Sequence, residues 1–364
     1  METWRCADCS GPLAWSTERR FDRTCIDTAA SGLWRYANTL PLSRVQSVAL
    51  GEITTPLVAL EVDGRPVDFK LDYISPSGSY KDRGAAVLIS SLRHLGATHA
   101  VEDSSGNAAA AIAAYAAGAG MACTVFAPAA ASPGKLVQAT AYGARVVRTE
   151  GSRDDVAAAA MEAAAATPDA TYASHNWHPF FIEGVKTWAF EVWEQLGCLA
   201  PDAIVVPVGS GSLLLGAHLA FEALKAGGEI DQLPRLFAAQ PAACAPVHRA
   251  FVAGERDTTP FPREPTVAEG ASIANPVRGR ELLTAIGASG GGTAAVTEAE
   301  ITDALREMAR RGVYIEPTAA VAVAGARRLL QTGDIRPDGR VVVLLSGSGL
   351  KATDAIGSLF SDQR

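Results

Sequence analysis

The sequence predicts an α/β protein made of two doubly wound domains. Short, continuously apolar segments alternate with helical segments, a pattern typical of parallel strands that are covered by helices on both faces. This alternation occurs once in the first half of the chain and again in the second half. The chain has 364 residues, a length at which a single hydrophobic core usually stops growing. Two domains are therefore expected.

The predicted elements of the first block follow one another as strand, helix, strand, helix and strand. They lie at residues 99–102, 108–117, 122–126, 133–142 and 145–147. The alanine-rich stretch 157–166 is helical by propensity. The second block has apolar strands at 203–208, 236–239 and 340–345, with helices such as 213–225 and 298–311 between them. The glycine-rich stretch 287–292 is predicted to be a flexible connection.

Composition and charge exclude some classes of partner. Hydrophobic residues make up 48% of the chain and charged residues 20%, as in ordinary globular proteins. A net charge of −7 argues against a nucleic acid or an anionic membrane as partner, because both would need a basic face. No apolar stretch approaches the roughly 18 residues of a membrane span, and residues 1–5 lack the pattern of a signal peptide. A cytoplasmic location is expected.

The cysteines provide one candidate metal pattern. Cys6-x-x-Cys9 is half of a zinc knuckle, and Cys25 could add a third thiolate. Thr28 stands where a second Cys-x-x-Cys would close, and Asp27 is an oxygen ligand that could substitute. We expect a metal-free remnant with reduced thiols rather than a filled zinc site, so no metal ligand is assigned. The remaining three cysteines are expected to be small core residues.

Lys81 is the first candidate for chemistry. It is surrounded by the small and turn-forming residues of the stretch 76–84 and stands at the predicted start of a helix. Such a loop can present an amine that must bond covalently to an aldehyde cofactor. A solvated surface lysine is the alternative, and other segments must decide between the two.

A glycine-rich turn between a buried strand and a helix is the second candidate site. It contains Gly209, Ser210, Gly211 and Ser212. Free backbone N–H groups and the helix dipole would make it a cradle for phosphate. A dinucleotide site would also need an acidic residue at the end of the next strand, but that strand ends at Gln240 without one. A single phosphate on a small cofactor is the better interpretation.

Two further segments join strands to polar turns. Residues 104–107, Ser-Ser-Gly-Asn, precede a predicted helix and could hold the carboxylate of an amino acid. Helix capping would explain one such residue but not the whole run. Ser346 ends a buried strand and is followed by glycines, which in isolation is also compatible with a plain turn.

In this order, the segments resemble the tryptophan synthase β-like superfamily of pyridoxal-phosphate enzymes, fold type II, and within it the threonine synthase branch. The resemblance covers nearly the whole chain. It includes the Cys-x-x-Cys start, Thr-Pro-Leu at 55–57, Glu-Gly-Val-Lys-Thr at 183–187 and Glu-Pro-Thr at 316–318. It implies pyridoxal 5'-phosphate as the cofactor, held in the cleft between two α/β domains.

The resemblance also implies a role for each candidate residue. Lys81 would form the Schiff base with the cofactor and then move the α-proton of the substrate. Ser346 would face the pyridine nitrogen, and a hydroxyl there favours elimination or replacement over transamination. Asn107 would bond to the ring hydroxyl and take part in substrate binding. The cofactor phosphate would be bound by Gly209, Ser210, Gly211, Ser212 and Leu213, and the substrate carboxylate by Ser104, Ser105 and Gly106.

The domain boundaries expected from this resemblance divide the chain into three parts. Residues 1–40 would form an N-terminal extension with the partial zinc-knuckle pattern. Residues 41–80 together with 190–364 would form the large cofactor-binding domain. Residues 81–189 would form the small α/β domain.

Departures from the threonine synthase pattern bear on the substrate. Phe181 stands where that branch commonly has an arginine for the phosphate of O-phosphohomoserine, and Ser210 and Ser212 stand where asparagines are frequent. A dianionic phosphate needs charge-assisted donors. Arg278 or Arg280 could compensate, although salt bridging is the other interpretation of both.

Three other features keep further chemistry open. His175 and His178 could be acid/base residues or substrate contacts, or they could be packing residues. The stretch 266–270, Thr-Val-Ala-Glu-Gly, looks more like the threonine and serine dehydratases of the same superfamily. β-Elimination therefore remains an alternative.

The predicted function is elimination or replacement at the β or γ carbon of an amino acid, with O-phosphohomoserine to threonine as the first candidate reaction. The alternatives are threonine or serine dehydration, or β-replacement of the cysteate synthase or cysteine synthase kind. A cofactor-free binding protein on a relict fold is the alternative from another class. The expected partner is a small amino-acid substrate, and the family implies a homodimer.

Overall fold

The computed structural model describes residues 4–15 and 20–361. Part of the predicted N-terminal extension, residues 1–3 and 16–19, lies outside the described residues. The chain divides into two compact units, each with its own sheet. The first unit takes residues 4–15, Arg23–Ile53 and Ser75–Thr187, and the second takes residues 20–22, Thr54–Ile74 and 188–361.

The strands and helices follow one another along the chain with short connections. The elements up to residue 195 are β1 (Leu57–Val62), β2 (Arg65–Lys70), α1 (Lys81–His94), β3 (His99–Glu102), α2 (Asn107–Ala119), β4 (Ala122–Pro128), α3 (Pro133–Ala141), β5 (Arg145–Thr149), α4 (Arg153–Ala166), β6 (Ala170–Tyr172), α5 (Pro179–Val185) and α6 (Thr187–Gln195). The later elements are β7 (Ala203–Pro207), α7 (Ser212–Gly227), β8 (Arg235–Pro241), α8 (Pro246–Val252), α9 (Gly279–Ala288), β9 (Gly292–Val296), α10 (Glu298–Arg310), α11 (Pro317–Thr332), β10 (Val341–Leu344) and α12 (Thr353–Ser361).

The first unit contains a four-stranded parallel sheet in the order β5-β4-β3-β6. Val101 of β3 pairs with Tyr172, the last residue of β6, so these two strands end within one residue of each other. A small apolar cluster that includes Val156 and Ala160 of α4 covers one face near these residues. Ser152 starts α4 in a capping box, because its hydroxyl accepts the N–H of Asp155 while the Asp155 carboxylate accepts the N–H of Ser152.

Two glycines allow α1 and α5 to pack closely in the first unit. A β carbon at Gly184 would lie 2.1 Å from the carbonyl oxygen of Arg83. A β carbon at Gly84 would lie 2.6 Å from the ring of Phe181. Neither position can take a larger residue without movement of its neighbour.

The second unit contains a six-stranded sheet in the order β1-β2-β10-β7-β8-β9. Only the β1–β2 pair is antiparallel among these described strands. Helix α11 packs on four of the strands, and Gly325 brings it close enough that a β carbon there would lie 2.6 Å from that of Ala239. Parallel strands flanked by helices in both units confirm the predicted α/β class.

The prediction for residues 287–292 is wrong. Gly287 and Ala288 are the last residues of α9, and Gly292 is the first residue of β9. Gly291 lies so close to the preceding strand that a β carbon there would be 1.9 Å from the carbonyl oxygen of Leu236. Close packing, rather than flexibility, therefore explains this glycine. The strands β1, β2, β6 and β9 were also absent from the predicted elements.

The two units differ in their bounds from the domains expected from the sequence. The first unit includes residues 41–53 and 75–80, which the expectation assigned to the large domain, and the described part of the N-terminal extension. The second unit includes residues 20–22 in addition to its two longer segments. Among the described residues, no helix is both long enough and apolar enough to cross a membrane.

Candidate active site

The loop before α1 fixes Lys81 at the first position of the helix. Asp82, the next residue, turns back to this loop and accepts hydrogen bonds from the backbone N–H of Ser77 at 2.6 Å and from its hydroxyl at 2.5 Å. Gly78 has a φ of +88°, a conformation that glycine adopts without strain. The turn-forming residues noted in the sequence therefore hold the lysine in place.

The amine of Lys81 is buried and lacks an acidic partner. Its residue is 9% exposed, and Nζ lies 2.6 Å from the hydroxyl of Tyr80. The ring centroids of Tyr80 and Phe181 lie 4.6 Å and 5.5 Å from Nζ. No carboxylate forms an ion pair with it in the described part of the chain. An amine in such surroundings is available for covalent bonding. The contact with Tyr80 was not predicted, although a phenol beside a candidate lysine was visible in the sequence.

The Ser-Ser-Gly-Asn segment belongs to the same unit as Lys81. It follows β3 directly, and Asn107 is the first residue of α2. All four residues are half-buried, and Ser104 accepts the N–H of Gly106 at 3.2 Å. A β carbon at Gly106 would have no atom within 4 Å, so space is open beside the backbone. The N-terminus of α2 and this open space suit a carboxylate.

In the second unit, the glycine-rich turn connects β7 to the 16-residue helix α7. Gly211 has a φ of +89° and precedes the helix without a side-chain cap. The backbone N–H groups of Gly209, Ser210 and Gly211 donate no hydrogen bond within the described residues. A β carbon at Gly209 would lie 2.8 Å from the carbonyl oxygen of Gly270. Backbone N–H groups that have no acceptor and lie at the start of a long helix are suited to bind an anion such as phosphate.

Ser346 follows β10 in the second unit. It is buried, and its hydroxyl lies 3.5 Å from Oε1 of Glu316, the residue that precedes α11. Gly347 packs against the same carboxylate, because a β carbon there would be 2.2 Å from it. In the sequence, Glu316 was noted only as part of the Glu-Pro-Thr motif. A hydroxyl at this strand end suits the predicted contact with a ring nitrogen.

The residues fit pyridoxal phosphate. The first unit contains a buried amine, which suits the aldehyde. The second unit contains three successive backbone N–H groups without an acceptor, which suit the phosphate. It also contains a buried hydroxyl, which suits the ring nitrogen. No group of three or more His, Cys, Asp or Glu side chains suited to a metal ion occurs in the parts of the chain that the structure describes.

The remaining candidates occupy structural positions. Phe181 is fully buried and its ring packs against α1 at Gly84. His178 precedes α5, and its Nδ1 accepts the N–H of Phe180 at 3.4 Å. Arg278 is buried and paired with Glu281 at 2.9 Å. Arg280 is exposed and paired with Asp257 at 3.3 Å.

His175 is the exception among these candidates. It follows β6, and its Nδ1 lies 2.8 Å from Oε1 of Glu102, the last residue of β3. Both residues are buried. Glu102 was missed in the sequence, although a carboxylate at the end of an apolar strand is a signal that could have identified it.

Comparison with known proteins agrees with this geometry. Residues 48–347 match the family of pyridoxal-phosphate dependent enzymes. The chain is 36% identical to a threonine synthase of Methanocaldococcus jannaschii, over 89% of this chain and 82% of that protein. It is 34% identical to a threonine synthase of Methanosarcina acetivorans, over 96% of this chain and 88% of that protein. A threonine deaminase structure from Solanum lycopersicum has the same fold, with a TM-score of 0.73 at 22% identity, covering 96% of this chain and 98% of that one.

The chain therefore belongs to the family of pyridoxal-phosphate-dependent enzymes. Within that family it is a threonine synthase-like enzyme of fold type II. Its chemistry is elimination or replacement at the β or γ carbon of an amino acid, as the sequence predicted. The alternative of a cofactor-free binding protein is not supported.

Proposed function

We propose that the enzyme catalyses the threonine synthase reaction, in which O-phosphohomoserine and water give threonine and phosphate. The observation that carries the proposal is the buried amine of Lys81, fixed at the start of α1 without a carboxylate partner. Relatives named threonine synthase are 33–36% identical over at least 88% of this chain, which supports this substrate as the first candidate.

Lys81 would hold the cofactor through a covalent bond from Nζ to its aldehyde. With substrate bound, Nζ would accept the proton from the α carbon of the substrate. The cofactor, when bound, withdraws electrons from that carbon. The hydroxyl of Tyr80, at 2.6 Å, orients Nζ for this proton transfer.

The other predicted residues bind the cofactor and the substrate. Ser104, Ser105 and Gly106 bind the substrate carboxylate at the start of α2. Asn107 would donate to the ring hydroxyl and contact the substrate, and Ser346 would bond to the ring nitrogen. The cofactor phosphate would be bound by Gly209, Ser210, Gly211, Ser212 and Leu213.

β-Elimination from threonine or serine is the second candidate. Phe181 favours it, because this fully buried side chain stands where the threonine synthase branch commonly has an arginine. Loss of one charge-assisted hydrogen bond to a phosphate removes about 1.5–3 kcal/mol of binding free energy. A hydroxyl leaving group would not need that arginine.

Replacement of Lys81 provides the first test. We expect Lys81→Ala holoenzyme to lose the visible absorbance of the bonded cofactor and all turnover, whereas the exposed Lys225→Ala control keeps both. Wild type is mixed with phosphohomoserine, threonine and serine, and phosphate and oxo acids are measured. Phosphate with threonine supports the first candidate, and oxo acids support the second. Turnover by Lys81→Ala would contradict both.

We further propose that the enzyme is a cytoplasmic homodimer, as the family resemblance implies. Its six cysteines are free thiols, a state that a reducing compartment maintains. Sedimentation of the purified protein at several concentrations tests the dimer, and a monomer at every concentration would contradict it.

A further inference from the structure

A buried pair of ionisable groups lies where two strands of the first unit end. Glu102 is the last residue of β3, and His175 comes three residues after the end of β6. These strands are parallel neighbours and end within one residue of each other. Ligands of open α/β sheets bind beyond the carboxyl ends of the strands. The Ser104–Gly106 segment, proposed to bind the substrate carboxylate, also starts at this end of β3.

Glu102 holds the imidazole of His175 by two contacts. Its Oε1 lies 2.8 Å from Nδ1, and its Oε2 accepts the backbone N–H of His175 at 3.3 Å. The side chain of His175 is 10% exposed, and that of Glu102 is fully buried. Nε2 of His175 has no hydrogen-bond partner among the described residues. Glu102 therefore fixes the orientation of the imidazole ring, and Nε2 is available to exchange a proton with a ligand.

The pair lies in the surroundings of Lys81. The His175 ring packs edge-on against Phe181, with 5.8 Å between centroids, and the same Phe181 ring lies 5.5 Å from Nζ of Lys81. The charge of Lys81 also lowers the pKa of both Glu102 and His175. His175 and the amine of Lys81 therefore both contact the Phe181 ring.

Burial decides where the proton of the pair resides. It raises the pKa of Glu102 to about 7 and lowers the pKa of His175 well below its usual value. At neutral pH the imidazole is uncharged, and Glu102 is the group that still carries a proton in part of the molecules. The other ionisable groups that act on the pair lie on α1, α4, β4, β6 and the residue after β3, and they are Lys81, Arg153, Cys123, Tyr172 and Asp103.

We propose that His175 is a second catalytic residue, whose Nε2 gives a proton to the leaving group on the substrate side chain, and that Glu102 positions it and supplies that proton. This inference rests on the proposed function. The leaving group it predicts is bonded through oxygen, as a phosphate ester or a hydroxyl.

The step is balanced. The bond from carbon to the leaving oxygen breaks, its electron pair stays on that oxygen, and the oxygen takes the proton of Nε2. Nδ1 takes the carboxyl proton of Glu102, so the imidazole is again neutral and Glu102 becomes a carboxylate. The α-proton of the substrate goes to Lys81. One proton has moved from Glu102 to the departing water or phosphate.

The test compares two leaving groups in the same holoenzyme. One substrate is whichever of phosphohomoserine, threonine or serine the wild type converts, and the other is its chloro analogue, because chloride leaves without a proton. We expect His175→Gln to lower turnover of the oxygen substrate about 100-fold and turnover of the chloro analogue very little. Glu102→Gln, which keeps the size of the side chain, should change the two rates in the same way. Deprotonation of Glu102 should make the wild type lose turnover of the oxygen substrate above pH 7, and this loss should be absent in Glu102→Gln.

His99→Gln is the matched control. His99 lies at the opposite end of β3, where its Nε2 is 2.9 Å from the hydroxyl of Thr124. This variant should leave both rates unchanged. Equal losses on the oxygen and chloro substrates in His175→Gln and Glu102→Gln would overturn the inference alone, because they indicate a structural role. A wild type that converts none of the three oxygen substrates would overturn the proposed function, and the inference with it.

Discussion

Tyr80 is the residue whose contact most directly modifies the proposed chemistry. Its hydroxyl lies 2.6 Å from Nζ of Lys81, and its ring flanks the same amine at 4.6 Å. A phenol can donate to the neutral amine or accept from the ammonium, so it can follow Nζ through a proton transfer. Tyr80, which precedes Lys81 in the sequence, is therefore placed to assist its proton transfer.

Tyr80→Phe should slow proton transfer without disturbing the fold, because only the hydroxyl is removed. Loss of a hydrogen bond to a charged group typically costs about 1.5 kcal/mol or more, so exchange of the α-proton of the substrate should slow about tenfold. Proton exchange in deuterated water measures this. Tyr115→Phe is the control, since it loses a hydrogen bond to Glu52 and should lower stability but not exchange. An unchanged exchange rate in Tyr80→Phe would contradict the role.

The sequence predicts the candidate site from single residues at strand and helix ends. Lys81, Gly209 and Ser346 are predicted to be site residues because turn-forming residues at these positions have few structural explanations. The Glu102–His175 pair could not be predicted, because 73 residues separate its members and only the parallel pairing of β3 with β6 brings them together. Pairing of strands is a property of the sheet and not of a local pattern.

At the level of elements, the contact between α1 and α5 is the most restrictive. Gly84 faces the Phe181 ring, and Gly184 faces the backbone of Arg83. Neither glycine signals this role in the sequence, where each is simply part of a motif. At residues 287–292 the error is the reverse, because these glycines suggested a flexible connection. In the structure they form the end of a helix and a closely packed strand start.

Gly84→Ala should destabilise the protein by about 1–3 kcal/mol, because its β carbon would overlap the Phe181 ring. Gly287→Ala is the control, since it lies in α9 with open space at the β carbon and should stabilise by about 0.5–1 kcal/mol. Urea unfolding measures both. If Phe181 causes the loss, adding Phe181→Leu to Gly84→Ala should recover part of it, and strictly additive losses would contradict this explanation.

At the level of the whole molecule, the buried Glu102–His175 pair links stability to pH. The folded chain retains a proton on Glu102 up to about pH 7, whereas the unfolded chain loses it near the ordinary value of 4.5. Folding therefore binds a proton in this range, and the free energy of unfolding falls as pH rises through it. His175 acts in the opposite direction below its ordinary pKa of 6.5, because the unfolded chain takes up the imidazole proton first.

The difference between wild type and Glu102→Gln isolates the carboxyl group. Between pH 6.5 and 8, the wild-type free energy of unfolding should fall by about 1 kcal/mol relative to the variant, because the folded carboxyl loses its proton there. Urea unfolding at several pH values measures this difference. Parallel curves for the two proteins would mean that Glu102 titrates alike in the folded and unfolded chains.

The packing of Phe181 on Gly84 limits how this enzyme could change its substrate. An arginine at 181 would place a guanidinium in a fully buried site against α1, where the space is already filled. The substitution Phe181→Arg would therefore destabilise the fold before it could improve phosphate recognition. We expect substitutions at Gly84 and Phe181 to occur together. Laboratory evolution toward a phosphorylated substrate should first select substitutions at other positions in the chain.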